Sequence, residues 1–297
     1  MGSNGGRWFP ADWPDRIRAF ARGELAPVTP RPAATVMLLR DGAAGLEAYV
    51  LRRRASMAFA GGAYAYPGGA VDPRDVAAVG AGGAAVWAAV RETFEEAGVL
   101  LAGASPGEIV ADVTGEDWEA DRAALVAREL SFTAFLARRG LTVRTDLLGP
   151  WARWITPEFE ERRYDTWFFV AALPPGQRGR NASTEADRAA WLTPREAIDG
   201  YERGELLMLP PTIATLRELA PYDTAARALA AATAPAREAT AALPVMARVT
   251  LVGNEVVVSW PGYEEFERRV AAADPAPNEG PAGSRARTRY HEGERES

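Results

Sequence analysis

The chain has 297 residues, 47% of them hydrophobic, which is enough to build a sizeable core in one elaborated domain or two small ones. Thirty-four basic residues against 40 acidic ones give a formal charge of −6, so no overall field favours long nucleic acids or anionic lipids. Cysteine and lysine are absent, and the one histidine, His291, lies in a polar segment. This composition excludes thiolate zinc sites, Schiff-base lysines and histidine triads, and leaves carboxylates to perform chemistry.

The first 31 residues predict an N-terminal extension, with a short helix from Trp13 to Arg22 and several prolines after it. The N-terminus does not combine a charged stretch with a following apolar one, and no later run approaches the ~20 apolar residues that span a bilayer. We therefore expect a cytoplasmic protein that does not associate with membranes.

The segments that follow predict a sheet. Residues 33–40 are typical of a buried strand, Asp41-Gly42 of a turn, and residues 46–52 of the hairpin partner. Residues 61–69 combine a short strand with a Pro-Gly-Gly break, where glycine permits a close backbone approach to a ligand. Further strands are expected at 151–156, 166–173 and 189–192.

Helical patterns alternate with these strands. One helix should end at Gly98, a second pattern covers residues 117–140, and Thr193 should begin an alanine-rich helical stretch that reaches about residue 242. A late hairpin is expected at 249–252 and 256–260, joined through Gly253-Asn254. From about residue 271 the chain has no apolar period, so we expect disorder there.

The helix that ends before Gly98 has two different faces. One face is apolar and is formed by Trp87, Val90, Phe94 and Ala97. The opposite face has three carboxylates at positions i, i+3 and i+4, namely Glu92, Glu95 and Glu96. An acidic triplet of this kind could simply be a solvated face with Arg91 paired to Glu95. Alternatively, a divalent cation would relieve the repulsion between the carboxylates, and magnesium prefers such oxygen ligands.

The segment Arg91-Glu92-Thr93-Phe94-Glu95-Glu96-Ala97-Gly98-Val99, with Gly69 and the preceding Tyr66-Pro67-Gly68, resembles the Nudix box. The family pattern is Gly-x5-Glu-x7-Arg-Glu-U-x-Glu-Glu-x-Gly-U, where U is a bulky apolar residue. The second half matches at every fixed position, with Thr93 at one U site. The resemblance implies a hydrolase that cleaves a diphosphate bond with Mg²⁺ or Mn²⁺.

Two departures from the pattern concern its first half. The first acid is Asp75 instead of glutamate, and the fifteen residues from Val76 to Val90 replace the seven of the family pattern. We expect the glycine-rich piece Gly80–Gly83 to absorb this insertion as a loop. The participation of Asp75 is left open.

The resemblance extends over roughly residues 33–217. The helical segment between Leu100 and Leu148 looks like the insert of the long Nudix branch that includes the peroxisomal coenzyme A diphosphatases, and so do the segments Trp154-Ile155-Thr156-Pro157, Arg163-Tyr164-Asp165-Thr166-Trp167-Phe168-Phe169 and Trp191-Leu192-Thr193-Pro194. The resemblance implies an α/β/α sandwich around a mixed sheet, with a helical insert and a C-terminal extension. The division that follows is an N-terminal extension at 1–31, a Nudix domain at 32–220 with its insert at about 101–148, a helix and hairpin at 221–270, and a disordered tail at 271–297.

By the same resemblance, Glu92, Glu95 and Glu96 would hold the metal together with the carbonyl of Gly69. Arg91 would fix the glutamates by ion pairing. The catalytic carboxylate that orients or deprotonates water would be Glu92, Glu95 or Glu185, which lies in a loop before a late strand. Glu185 could equally be an ordinary loop acid.

Phosphate contacts require guanidinium groups or backbone amides. Arg53, Arg54 and Arg163 are the candidates for substrate binding, although each could equally have a surface or structural role. Coenzyme A or an acyl derivative is the leading expectation for the substrate. Against it, Phe59 occupies the place where shorter coenzyme A Nudix proteins have a further arginine.

Other readings stay open. The substrate could be an RNA cap, NADH or ADP-ribose, or the chain could be a ligand sensor that has lost catalysis. The three intact glutamates argue against a sensor, and the negative charge argues against long RNA. The expected partner is a small diphosphate molecule, and the protein could form a homodimer.

Overall fold

The computed structural model describes residues 12–57, 60–252 and 255–260. The chain divides into two compact units, the first built from Met1–Pro30, Ile155–Arg163 and Val245–Ser297 and the second from Arg31–Trp154 and Tyr164–Pro244. The helix with Glu92, Glu95 and Glu96, called the acidic helix below, belongs to the second unit. The expected disorder at 271–297, the turn at Gly253-Asn254 and the position of Phe59 lie outside the described residues.

The strands are β1 Arg31–Gly42, β2 Gly45–Arg53, β3 Tyr64–Ala65, β4 Gly68–Ala70, β5 Ala102–Gly103, β6 Thr142–Val143, β7 Gly149–Ile155, β8 Tyr164–Ala172, β9 Ala186–Leu192, β10 Pro244–Met246, β11 Arg248–Val252 and β12 Glu255–Ser259. The helices are α1 Trp13–Ala21, α2 Pro73–Ala97, α3 Glu116–Val126, α4 Phe132–Arg139, α5 Pro194–Glu202, α6 Pro210–Leu219, α7 Ala225–Ala232 and α8 Pro235–Ala241, with a short 3₁₀ turn at Thr145–Leu147. Within the described ranges, none of the helices has both the length and the apolarity that a bilayer crossing requires.

The central sheet of the second unit is mixed. Its strands run in the order β7-β8-β1-β2-β3, with β4 paired to β1 and β9 paired to β2. β1 is parallel to β8 and antiparallel to β2. The expected turn at Asp41-Gly42 is wrong by two residues, because β1 continues until Gly42 pairs with Gly45.

Helices cover both faces of this sheet, which confirms the α/β/α sandwich. On one face, Phe94 of α2 is fully buried in a cluster with Val36 and Leu38 of β1. Alternate residues of the same strand point to the other face, because successive side chains of a strand alternate. On that side α7 packs against β8 and β1, and Ile213 of α6 and Ala228 of α7 are fully buried.

The helix α2 runs through Gly80–Gly83, the residues that were expected to form a loop. It begins where the side chain of Asp72 accepts from the Arg74 N–H, with Pro73 in the first turn, and it ends at Gly98 in the left-handed region (φ 63°). Gly80 alone leaves helical geometry, at φ 73°, and kinks the helix. The loop expectation for Gly80–Gly83 is therefore wrong, since a single glycine absorbs the irregularity and the helix continues on both sides of it.

The insert on the α2 side of the sheet contains two short helices where the sequence predicted one pattern over 117–140. They separate because Arg128 adopts a left-handed φ of 61° and the side chain of Ser131 caps α4 by accepting from the Ala134 N–H. Phe135 of α4 stacks on Phe94 of α2, with the ring centroids 5.3 Å apart. The insert therefore rests on the back of the acidic helix.

The alanine-rich stretch after Thr193 is also several helices instead of one. Thr193 and Glu196 form the expected capping box. Pro210 and Pro235 begin new helices, because proline lacks an N–H and clashes with the preceding turn. In the first unit, β11 and β12 form the expected hairpin, and Trp13 of α1 packs edge-on against Phe159.

Candidate functional site

A glycine turn lies directly against the acidic face of α2. The Gly68 N–H donates to Glu96 Oε2 at 2.9 Å. A Cβ on Gly69 would lie 2.5 Å from Glu92 Oε1, so a larger residue would require this carboxylate to move. Gly68 is held in place by its pairing with Thr35 of β1. The sheet and the helix thus bring the backbone of the turn and two of the glutamates together.

Arg91 ties the glutamates to the start of the helix. Its Nη1 donates to Glu92 Oε1 at 2.8 Å and to Glu95 Oε1 at 3.2 Å. Its Nε donates to Asp75 Oδ2 at 3.2 Å, and its Nη2 donates to the Ala70 carbonyl at 2.9 Å. Arg91 and Asp75 are both buried. Asp75 therefore bonds to the same arginine that donates to two of the glutamates.

The described side chains include no cluster of three or more carboxylate or histidine groups gathered closely enough to hold a metal ion. The reason lies in the hydrogen bonds, because Glu92 and Glu95 accept from Arg91 while Glu96 accepts from Gly68. The donor set nevertheless suits a hard divalent cation, since it consists of carboxylate and backbone oxygens. Changes of rotamer in these side chains would be needed to gather them around an ion.

The electrostatics of the carboxylates also suit a cation. Burial, and then the charges of Glu92 and Glu185, raise the pKa of Glu96 to about 8, although the Gly68 N–H and Arg53 oppose the shift. Burial raises the pKa of Glu92 to about 7, with a smaller contribution from Glu95 that Arg91 opposes. A bound cation would favour the ionised form of each group and so remove this penalty.

The structure brings Glu185 to the same place. Its N–H donates to Ser183 Oγ at 3.1 Å, and that hydroxyl lies 3.4 Å from Glu96 Oε1. Its carboxylate Oε2 lies 3.5 Å from Arg53 Nη2. Glu185 is therefore close to the acidic face of α2, although it is almost 90 residues away from Glu96 along the chain.

The three candidate arginines have different surroundings. Arg53 faces Glu185, and its Nε is buried and has no hydrogen-bond partner among the described residues. Arg54 donates from Nε to the Thr184 carbonyl at 2.7 Å and so supports the loop. Arg163 lies in the first unit, where its guanidinium donates to the carbonyls of Thr156 and Val28. These bonds favour the structural alternative for Arg163.

Sequence reasoning missed Ser183 and Arg122. Ser183 sits two residues before Glu185, and a hydroxyl at this spacing is a common local acceptor for a loop N–H. Arg122 lies in the insert and donates to backbone carbonyls of α2 and of the Glu185 loop. No local pattern indicated that contact, because its partners are 27 and 60 residues away.

The family model and a solved structure that this chain matches belong to the same family. Residues 79–219 match the family model described as the NUDT19 Nudix domain. A crystal structure of a NUDIX hydrolase from Alicyclobacillus acidocaldarius is 32% identical, with a TM-score of 0.60, over 68% of this chain and 96% of that one. This chain therefore covers nearly the whole of that protein.

Two curated relatives are named acyl-coenzyme A diphosphatase NUDT19. The protein from Xenopus laevis is 27% identical over 143 residues, which are 44% of this chain and 38% of the relative. The protein from Homo sapiens is 30% identical over 143 residues, which are 45% of this chain and 38% of the relative. The matches therefore span well under half of these relatives' length.

Proposed function

The chain belongs to the Nudix hydrolase family, and we propose that it hydrolyses the diphosphate bond of a nucleoside diphosphate joined to another group, with Mg²⁺ or Mn²⁺ as cofactor. The observation that supports this most is the meeting of the Gly68-Gly69 turn with Glu92 and Glu96, beside Glu185. Three segments that are distant in sequence, the glycine turn, α2 and the loop with Glu185, converge on one acidic site. A solvated helix face would not require this convergence.

Glu92, Glu95 and Glu96, with the Gly69 carbonyl, would hold the cation. A divalent ion supplies charge neutralisation at the diphosphate and makes an attacking water more acidic. The buried Arg91 keeps Glu92 and Glu95 in fixed orientations through its hydrogen bonds, and Asp75 fixes Arg91 in turn. Orientation of ligands by a neighbouring group in this way is general in metal sites.

Glu185 is the carboxylate that we assign as the base. Glu92 and Glu95 are both held by Arg91, whereas Glu185 is the most accessible acid of the site, with 58% of its side chain exposed. Its Oε2 receives a proton from the water that attacks phosphorus. A positioned base of this kind contributes roughly a hundredfold to ten-thousandfold to the rate.

Arg53 is the residue that we assign to the phosphate. Its guanidinium lies 3.5 Å from Glu185 Oε2, so a phosphate bound there would be next to the base. A buried Nε without a partner among the described residues is a donor that a phosphate oxygen would satisfy. Arg54 bonds to the loop that contains Glu185 and so contributes to the position of the base without contacting the phosphate.

Coenzyme A or an acyl derivative is the substrate that we propose first. Support comes from the names of the two curated relatives and from the match to the NUDT19 Nudix domain. Residues of the insert and of the strands around Trp154 and Trp167 also resemble that branch. NADH, ADP-ribose and RNA caps are the alternatives.

The first experiment is a screen of diphosphate compounds with Mg²⁺ and with Mn²⁺, in which mass spectrometry detects the monophosphate products. Running the reaction in ¹⁸O-labelled water identifies the phosphorus that is attacked, because the label enters one product only. Metal-dependent turnover of any compound excludes a non-catalytic sensor. Binding of a compound without turnover, in the presence of either metal, would contradict the proposal.

The second experiment compares coenzyme A with dephospho-coenzyme A, which differ only in the 3′-phosphate. An enzyme that hydrogen-bonds this phosphate loses much of its kcat/KM on the dephospho compound, because its binding groups are left unpaired. Equal rates on the two compounds, or faster hydrolysis of ADP-ribose or NADH, would contradict coenzyme A as the substrate and favour a general nucleoside diphosphate hydrolase. Capped RNA is assayed at low and moderate salt alongside them.

A further inference from the structure

The loop between β8 and β9 is fastened to the C-terminal end of α2. The Ala182 N–H donates to the Glu96 carbonyl and the Arg180 N–H donates to the Ala97 carbonyl, both at 3.0 Å. These carbonyls belong to the last turn of the helix, where they have no intrahelical partner. The loop thus satisfies orphan acceptors that would otherwise be left to solvent.

Arg122 of the helical insert closes the same junction from the other side. Its Nη1 donates to the Glu95 carbonyl at 2.8 Å and to the Ala182 carbonyl at 3.0 Å. One guanidinium therefore joins the metal-binding helix to the loop. Its positive charge also lies at the negative end of the α2 dipole, where a cation is favourable.

Glu119 holds Arg122 in this orientation. Arg122 Nε lies 3.0 Å from both carboxylate oxygens of Glu119, and Glu119 Oε2 also accepts from Arg180 Nη2 at 2.7 Å. Arg180 Nη1 then donates to the Gly98 carbonyl at 3.2 Å. Every carbonyl from residue 95 to residue 98 thereby receives a donor from the loop or from Arg122.

Three residues after Ala182 the loop reaches the proposed base. Glu185 follows Ser183, whose hydroxyl lies near Glu96, and the Glu185 carbonyl accepts from the Arg54 N–H at 2.8 Å. The backbone is thus fixed on both sides of Glu185, by Arg122 on one side and by β2 on the other. The position of the base depends on both anchors.

We propose that Arg122 is a positioning residue for the diphosphatase reaction, by which the helical insert sets the distance between Glu185 and the glutamates of α2. The proposal rests on the proposed function of Glu185. An insert that only filled space on the back of α2 would need its apolar contacts, such as Phe135 on Phe94, but not a guanidinium shared between two backbones.

The test uses the full chain with Arg122→Gln, which removes the charge and most of the donors. We expect kcat to fall roughly tenfold to a hundredfold, because misplacement of a catalytic group by about 1 Å has that effect. KM and metal affinity should stay within about twofold, because the bonds of Arg122 to α2 and to the loop go to backbone carbonyls and not to the side chains of Glu92, Glu95, Glu96 or Arg53. Arg122→Lys, which keeps the charge and some donors, should recover part of the loss.

Arg138→Gln is the matched control, since Arg138 also lies in the insert and pairs with a carboxylate of α3, Asp121. Within the described ranges, Arg138 forms no hydrogen bond or ion pair with α2 or with the loop. The control should keep kcat. In the Glu185→Gln background, Arg122→Gln should reduce kcat no further, because the group it positions is already absent. A full additional loss in that background, or equal effects of the two arginine variants, overturns the proposal.

Hydrogen exchange separates this proposal from the proposed function. Arg122→Gln should speed amide exchange at residues 180–185 while leaving the core of α2 protected. If the wild-type protein hydrolyses no diphosphate, or if Glu185→Gln keeps full kcat, the proposed function fails. Unchanged exchange at 180–185 in Arg122→Gln overturns the positioning role whatever the activity.

Discussion

Asp75 and Arg91 form a buried ion pair between the first and the last third of α2, with Asp75 Oδ2 3.2 Å from Arg91 Nε. The pair spans the kink at Gly80 and the fifteen residues, Val76 to Val90, that stand where the family pattern has seven. It shows how a lengthened segment still returns an acid to the arginine that orients Glu92 and Glu95.

Replacing Asp75 by Asn should destabilise the protein. A buried arginine would lose one of its charged partners, at a cost of about 1–3 kcal/mol in the free energy of unfolding. Arg91 keeps its bonds to Ala70, Glu92 and Glu95, which limits the loss. Urea unfolding measures the effect. The control is Asp223→Asn, which removes an exposed ion pair with Arg227. It should lower the free energy of unfolding by less than about 1 kcal/mol.

Replacing Glu96 by Gln should lower kcat by roughly several hundredfold or more, because a charged ligand is worth several kcal/mol in a metal site. Stability without metal should stay the same or rise, because the carboxylate of Glu96 is buried beside Glu92 and its pKa is raised to about 8. Steady-state kinetics under saturating Mg²⁺ and thermal unfolding in chelator measure the two effects. Glu205→Gln, at an exposed pair with Arg203, should change neither. Near wild-type turnover of the Glu96→Gln variant would show that Glu96 is not a metal ligand.

The metal-free protein should lose stability as the pH rises. Glu92 and Glu96 have pKa values near 7 and 8 in the folded protein, above the ordinary glutamate value of about 4.3. The folded state therefore binds protons more tightly than the unfolded state, and the free energy of unfolding falls between about pH 4.3 and 8. Chemical unfolding in chelator across this range tests the decline. Glu96→Gln should show a shallower decline, and an identical slope in the two proteins would contradict the assignment.

Gly69→Ala should disturb the site without disturbing the fold. The added Cβ would lie 2.5 Å from Glu92 Oε1, so this carboxylate must move. We expect weaker metal binding and a fall in kcat of roughly tenfold or more, because a small displacement of a catalytic group is costly. Calorimetric titration with Mn²⁺ and steady-state kinetics measure both. Gly82→Ala is the control, since a Cβ there meets nothing within 4 Å. If the two alanine variants behave alike, Gly69 has no special contact with the site.

The sequence by itself determined the local features of the site. The two faces of α2, its end at Gly98 and the capping box at Thr193 all follow from residues within a few positions of one another. Such patterns reflect helix period and cap chemistry, which act over one or two turns. The resemblance of residues 91–99 to a family pattern supplied the expected fold.

The tertiary structure decided how distant groups meet. The sequence could not show that Gly80 would kink a continuous helix, that Asp75 would reach Arg91, or that Arg163 would bond to Thr156 and Val28. It also gave no sign that Arg122 would join α2 to the Glu185 loop. These contacts depend on packing between segments tens of residues apart, and one side chain's partner is fixed only when the whole sheet and its helices are in place.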